Sequence, residues 1–227
     1  MMSRLYPLAL IVAMLSACAP VTKHATFTEA QIKQEALYQQ RLAIEQELDQ
    51  RHRLVNVLYR LGTTAAQECG ANKKLSGMEL GGIGLFEKPY HPAAQQIGFD
   101  NRVRVMSVAA GSPAERAGIK VGDTLVAINA GQVKESGTAY RRANRDLTDA
   151  MKAGEVKLSL DRSGTTYSTL LAPVPGCPAP FHITREVMPS PKANGEAVLI
   201  PYSLMRLSRT DDEVATCEAV PDAEAWY

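Results

Sequence analysis

The sequence predicts an α+β chain: a long N-terminal helix, a central run of short strands carrying two helices, and an incomplete C-terminal segment. Three observations predict it. Residues 28 to 61 place apolar side chains at helical spacing behind a capping signal. Residues 103 to 174 alternate short apolar strands with glycine turns and two helical patterns. Beyond residue 175 only one apolar strand and one short helical pattern can be read. At about 150 residues per domain, 227 residues are enough for one buried core with a remainder. A composition of 45% apolar, 22% charged and 6% aromatic residues is that of a globular chain. The balance of 25 Lys+Arg against 24 Asp+Glu supplies no field for nucleic acid, which is set aside as a partner.

The first segment, MMSRLYPLALIVAMLSACAP, has a basic start at Arg4, an apolar stretch from Leu5 to Leu15, and small residues ending at Cys18. It is too short to span a bilayer and reads as a secretory signal over residues 1–17. Leu15-Ser16-Ala17-Cys18 resembles the bacterial lipobox, which implies cleavage before Cys18 and lipidation of its thiol. More than one acyl chain gives stable anchoring. Ala19 after the cysteine leans the expected location to the outer membrane, facing the periplasm. Cys69, Cys177 and Cys217 remain in an oxidising compartment. Cys69 and Cys177 bracket the central domain and form the favoured disulfide; three free thiols are the alternative.

A polar tether over residues 18–27 leads to Thr28-Glu29-Ala30-Gln31, which has capping-box form. It opens an amphipathic helix assigned to residues 28–68. Leu37, Ile44, Leu48, Val55 and Leu58 follow an a/d spacing, but Arg41 and Arg51 fall in the same seam. Charged seam positions argue for a helix that packs on the body of the protein rather than for a long coiled coil. Gly62 reads as its end or a break. A glycine-rich run, Leu80 to Phe86, and an irregular stretch with Pro89 and Pro92 follow, and that stretch is long enough to cover a neighbouring groove.

Val103, Val105 and Val108 then begin a β pattern. In Gly111-Ser112-Pro113-Ala114-Glu115-Arg116-Ala117-Gly118, Ser112 is the N-cap, Pro113 takes the first helical place and Gly118 supplies the left-handed stop. Leu125 to Ile128 is an apolar strand closed by Asn129-Ala130-Gly131. A helix from about Tyr140 to Ala153 sets Ala143, Leu147, Ala150 and Met151 on one face. Val156, Leu158 and Leu160 alternate before the turn Asp161-Arg162-Ser163-Gly164, and the return strand runs to Val174.

The run GSPAERAGIKVGDTLVAINAGQV, with the order helix then hairpin after it, resembles a bacterial PDZ domain over residues 78–174. The resemblance implies a partly closed antiparallel β barrel with two helices, in which an extended peptide adds as a strand beside the strand that follows a carboxylate-binding loop, and lies against the second helix. Such a loop needs small residues so that consecutive N–H groups converge on an anion. Gly82-Ile83-Gly84-Leu85 resembles that loop, which implies a carboxylate end at Gly82, Ile83, Gly84 and Leu85, and Leu147 facing the side-chain pocket. The alternative is that these glycines only allow a tight strand bend.

Pro175-Gly176-Cys177, Asn194 to Ile200, Leu204-Met205-Arg206 and Asp211-Asp212-Glu213-Val214-Ala215 are similar to the approach to the catalytic helix in zinc metallopeptidases that include HtpX and the CAAX prenyl proteases. That helix carries H-E-x-x-H. Here the only histidines are His24, His52, His91 and His182, none spaced i, i+4. The expectation is therefore a truncated metallopeptidase-like segment over residues 175–227, without catalytic or metal-ligating residues. No cofactor is expected, and zinc only if a missing catalytic helix exists. Glu213 and Glu218 read as solvated carboxylates, and the segment, lacking a partner layer, as poorly stabilised.

The function expected is that of a lipid-anchored periplasmic lipoprotein whose PDZ domain binds extended segments or C-termini of envelope proteins without catalysis. The alternative is a fragment of an envelope zinc metalloendopeptidase.

Overall fold

The computed structural model describes residues 27–69, 73–184, 190–193 and 197–218. The signal segment and Cys18 lie outside the described residues. Among those described, no helix is long and apolar enough to cross a membrane. The chain divides into two units, Met1–Ala36 and Leu37–Tyr227. In the first, the described residues are the opening turns of helix α1 (Glu29–Thr64). These begin with a reciprocal cap: the Thr28 N–H donates to Gln31 Oε1 at 2.9 Å, and the Gln31 N–H donates to Thr28 Oγ1 at 3.3 Å.

The second unit is built around a sheet of order β2-β3-β4-β6-β7, with β5 hanging from β4. Its members are β2 (Met78–Gly81), β3 (Val103–Val108), β4 (Thr124–Ile128), β5 (Gly131–Gln132), β6 (Val156–Arg162) and β7 (Thr165–Leu171). Every pairing in this sheet is antiparallel. The β6–β7 hairpin closes on Ser163 (φ 54°) and Gly164 (φ 85°), two left-handed residues whose twist matches that of the strands. Ahead of the sheet, β1 (Lys74–Leu75) pairs with β8 (Val174–Pro175), so the two ends of the PDZ-like unit are tied together.

The alternating residues read from the sequence meet in one core. Val103, Val105, Leu158, Leu160 and Leu171 are buried against Leu147 and Met151 of the helix that follows β5, α4 (Ala139–Lys152 once the two short helices between are counted). Those short helices are α2 (His91–Gln96) and α3 (Pro113–Arg116). In α3 the Ser112 hydroxyl accepts from the Glu115 N–H at 3.2 Å, Pro113 follows it, and Gly118 has φ 74°.

The other face of β2 and β3 is covered by α1 and by the segment around α2. A β-bulge leaves Met106 as the extra residue between the pairs Glu79↔Ser107 and Leu80↔Val105. Met106 packs with Ile44, Ile83, Phe86, Ala94 and Phe99. The Pro-containing stretch therefore packs in the cluster shared with α1 rather than over a groove beside α4. Its apolar residues Ala93 and Ala94, fully buried, hold it there.

The C-terminal segment has a partner layer after all. Strands β9 (Phe181–Thr184), β10 (Lys192–Ala193) and β11 (Val198–Pro201) form a small mixed sheet, followed by α5 (Tyr202–Leu207) and α6 (Asp211–Glu218). Val198, Ile200, Leu204, Met205 and Val214 pack on Leu54, Val57 and Leu58 of α1. The expectation of a weakly held tail is corrected by this contact, because α1 buries the face that the sequence left without a cover.

Gly62 is corrected as well, since α1 runs through it to Thr64. A Cβ there would stand 2.4 Å from the Cys177 carbonyl oxygen, and the Cys177 N–H donates to the Gly62 carbonyl at 2.9 Å. Glycine at this position lets the returning chain cross the helix backbone to backbone. Just beyond, Cys69 and Cys177 are joined in a disulfide with Cα atoms 5.3 Å apart.

Candidate functional site

The strand that borders the second helix of the unit is β2. It lies at the end of the sheet, paired on one side with β3, and α4 packs on it. The loop that leads into β2 is Leu75-Ser76-Gly77-Met78. Gly77 has φ 73°, and a Cβ on it would stand 2.1 Å from Ser112 Cβ and 3.2 Å from the Tyr59 ring. Only glycine meets both demands.

Two hydrogen bonds hold this loop to the turn that opens α3, and a third ties that turn to α1. The Ala114 N–H at the start of α3 donates to the Ser76 carbonyl at 3.0 Å, and the Ala109 N–H donates to the Gly77 carbonyl at 2.7 Å. From α1, Asn56 Oδ1 accepts the Ala110 N–H at 2.8 Å. The capping chemistry of Ser112-Pro113 thus has a second role, since the turn it fixes is the wall on which the loop rests. The Met78 N–H donates to the hydroxyl of Ser76 at 3.2 Å, and among the described residues the Ser76 and Gly77 N–H groups have no acceptor. A left-handed glycine flanked by such amides forms a concave set of donors suited to an anion. Lys73 and Lys74 immediately precede it.

The residues expected at the carboxylate end lie at the other end of β2. Gly82 follows the strand, and Ile83, Gly84 and Leu85 form a 3-10 turn. The amides of Ile83, Gly84 and Leu85 are engaged within the chain. Gly84 donates to the Gly137 carbonyl at 2.9 Å, Leu85 to Gly82 at 3.0 Å, and Ile83 to Asp100 at 3.4 Å. A carboxylate cradle at 82–85 does not fit this arrangement, and the donors left for one are those at 76–78. Leu147 lies beside the β2 edge, 3% exposed and in the core with Leu80. The sequence signal for the loop was present in Gly77 followed by the alternating Met78 and Leu80, but the glycine run at 81–84 is the more conspicuous pattern.

Behind the sheet, Asp123 ties the turn before β4 to the β6–β7 hairpin. Its carboxylate, 1% exposed, accepts from Arg162 Nε and Nη2, Tyr167 Oη and the Lys120 N–H, each at 2.7 Å. Burial acts to raise the Asp123 pKa, but the hydrogen bonds from Arg162, Lys120 and Tyr167 outweigh it and hold the group below its ordinary 3.8. Burial and the Asp123 contact push Tyr167 up to about 12. A carboxylate depressed in the folded state contributes stability that is present above its unfolded pKa and lost as pH falls through the folded value. Thermal melts should therefore lose stability below about pH 4, and Asp123→Asn should flatten that limb. An unchanged acid limb in the variant would assign it to other carboxylates.

The acidic run that resembles a peptidase approach is occupied in structural contacts. Thr210 and Glu213 form a reciprocal cap on α6: the Glu213 N–H donates to Thr210 Oγ1 at 3.2 Å, and the Thr210 N–H donates to Glu213 Oε2 at 3.2 Å. The backbone N–H groups of Arg209 and Thr210 hold the Glu213 carboxyl below its ordinary range. Asp211 pairs with Arg53 at 2.8 Å and Asp212 with Arg60 at 3.3 Å. The expectation of a merely solvated Glu213 is thereby refined, because its carboxylate caps a helix. Among the described residues no group of three His, Cys, Asp or Glu side chains could hold a metal ion.

Comparison with known proteins adds a family match to this geometry. No curated protein sequence matches the chain. Similar solved structures include the HtrA3 PDZ domain bound to the phage-derived ligand FGRWV, at 20% identity and TM-score 0.33, covering 45% of this chain and 86% of that one. They also include the HtrA-type protease AlgW with a decapeptide, at 19% identity and TM-score 0.35, covering 48% of this chain and 30% of that one. A serine-to-alanine variant of AlgW, again with a decapeptide, gives 20% identity and TM-score 0.33, covering 52% and 34%. The chain spans about a third of the length of the AlgW chains. Residues 104–143, from β3 through the first turns of α4, match the family model of the PDZ domain.

Proposed function

We propose that the chain is a non-catalytic peptide-binding module, held to a membrane by lipid on Cys18, whose PDZ domain captures the C-termini of envelope proteins in the periplasm. The observation that carries the binding reading is the loop Leu75-Ser76-Gly77-Met78. It opens onto the β2 edge beside α4, with the Ser76 and Gly77 amides unengaged among the described residues. A ligand's terminal carboxylate would lie on the amides of Ser76, Gly77 and Met78, with the Ser76 hydroxyl released to take part. The ligand chain would run antiparallel along Met78, Glu79, Leu80 and Gly81, with Leu147 at the floor of the side-chain pocket. Location and anchor rest on the signal segment and lipobox alone. The metallopeptidase resemblance after residue 175 is read as descent, with the residues of that segment now serving as a layer on α1.

The test begins with selection from a phage library of random C-terminal heptapeptides against the full chain. The best peptide is then synthesised as free acid and as C-terminal amide. The free acid should bind at least tenfold more tightly, since charge-assisted hydrogen bonds to the loop are lost in the amide. Equal affinity of the two forms would remove the carboxylate cradle from the account.

A further inference from the structure

The open edge of β2 already carries a hydrogen bond of the kind a ligand would make. Asn144, on the second turn of α4, donates from Nδ2 to the Leu80 carbonyl at 3.1 Å. An added strand would place its own backbone N–H on that carbonyl. A side-chain carboxamide has the donor chemistry of a peptide bond, so Asn144 stands where a ligand amide would stand. The apolar floor beneath is shut: Leu80 is 1% exposed, Ala143 and Leu147 3% each, and Tyr140 9%.

The far end of the same edge is closed by backbone. The Gly84 N–H donates to the Gly137 carbonyl at 2.9 Å, and a Cβ on Gly84 would stand 2.2 Å from that oxygen. The chain entering α4 is thus pressed against the chain leaving β2. Between the loop at Gly77 and this contact lie the residues of β2, Met78–Gly81.

Resting on the peptide-binding reading, we propose that Asn144 is an internal competitor that keeps the groove shut. A peptide enters by exchanging its own N–H for that of Asn144 at the Leu80 carbonyl. It therefore gains less than it would at a vacant edge. Two substitutions separate the hydrogen bond from the bulk of the side chain. Asn144→Ala removes both, while Asn144→Asp keeps the shape but at neutral pH removes the donor and turns a carboxylate toward the carbonyl.

The selected heptapeptide, labelled with fluorescein, is titrated by anisotropy into full-length wild type and both variants at pH 7.5. Both variants should bind about fivefold more tightly, the factor that one net hydrogen bond of about 1 kcal/mol corresponds to. Tighter binding by Asn144→Ala but not by Asn144→Asp would overturn the hydrogen-bond competitor in favour of simple bulk. Equal affinity for all three proteins would overturn the inference while leaving peptide binding in place. Selection of no peptide by any of the three proteins would overturn the peptide-binding reading itself, and this inference with it.

Discussion

Replacing Arg51 with alanine should destabilise the chain by about 3–5 kcal/mol, a large share of the 5–15 kcal/mol that holds a typical domain folded. Arg51 is 6% exposed, and its Nη1 lies 2.7 Å from Glu79 Oε1 while its Nε lies 3.2 Å from Glu47 Oε1. Its guanidinium also stands 5.7 Å from the centre of the Phe181 ring. One side chain of α1 therefore touches the outer face of β2 and the C-terminal sheet at once. Burial pushes the Glu79 carboxyl above its ordinary 4.5, although the charge and hydrogen bond of Arg51 draw it back. A carboxylate raised in the folded state favours the fold as pH falls and loses that contribution as pH rises through its folded pKa. Without Arg51 the Glu79 carboxyl rises further, so the deficit of the variant should be largest near pH 7.5 and narrow toward pH 5. Urea unfolding at both pH values measures it. A deficit below about 1 kcal/mol at pH 7.5 would show that water reaches Glu79. The double variant Arg51→Met with Glu79→Leu should recover most of the loss, because an apolar pair of similar volume needs no charge compensation.

Removing the disulfide has an effect of similar size through the unfolded state. Cys69 and Cys177 are 108 positions apart, and in the chain-entropy model a loop of that length contributes about 5 kcal/mol. Cys69→Ser with Cys177→Ser should lower the melting temperature by about 10 °C or more. The native geometry around the bond should survive, because the Gly62–Cys177 hydrogen bond and the β1–β8 pairing hold the same two chain segments together. A shift of under 2 °C would mean that these contacts already order the ends in the unfolded ensemble.

Much of the fold could be read from local chemistry. Thr28 and Gln31 cap each other as their spacing requires, Ser112, Pro113 and Gly118 write a one-turn helix, and the alternation of Val156, Leu158 and Leu160 places one face of a hairpin. The seam of α1 is legible too. Ile44 and Leu58 are buried along it, and Arg51, which argued against a regular coiled coil, is in a buried ion pair. What failed depended on contacts distant in sequence. The glycines at 82 and 84 looked like a cradle, but the acceptor that occupies the Gly84 amide is the Gly137 carbonyl, which no local pattern announces. Gly62 looked like a stop because the Cys177 backbone that crosses it arrives from far along the chain. The partner of the C-terminal layer does leave a trace in the sequence. Leu54, Val57 and Leu61 lie off the a/d seam, so the second half of α1 is apolar on two faces, and a helix with two apolar faces needs two covers.

That second cover arrives late. Arg53 and Asp211, which pair across the contact between α1 and the C-terminal layer, are 158 positions apart. A ribosome adding 5–20 residues per second needs roughly eight to thirty seconds to make that interval. For most of it, Leu54, Val57 and Leu58 lack their partners in the C-terminal layer, while the last strand of the main sheet ends at Leu171, well before Val198. The nascent chain therefore carries an adhesive helical stripe ahead of an already foldable domain, and a chaperone that reads amphipathic helices meets this stripe before the molecule can cover it.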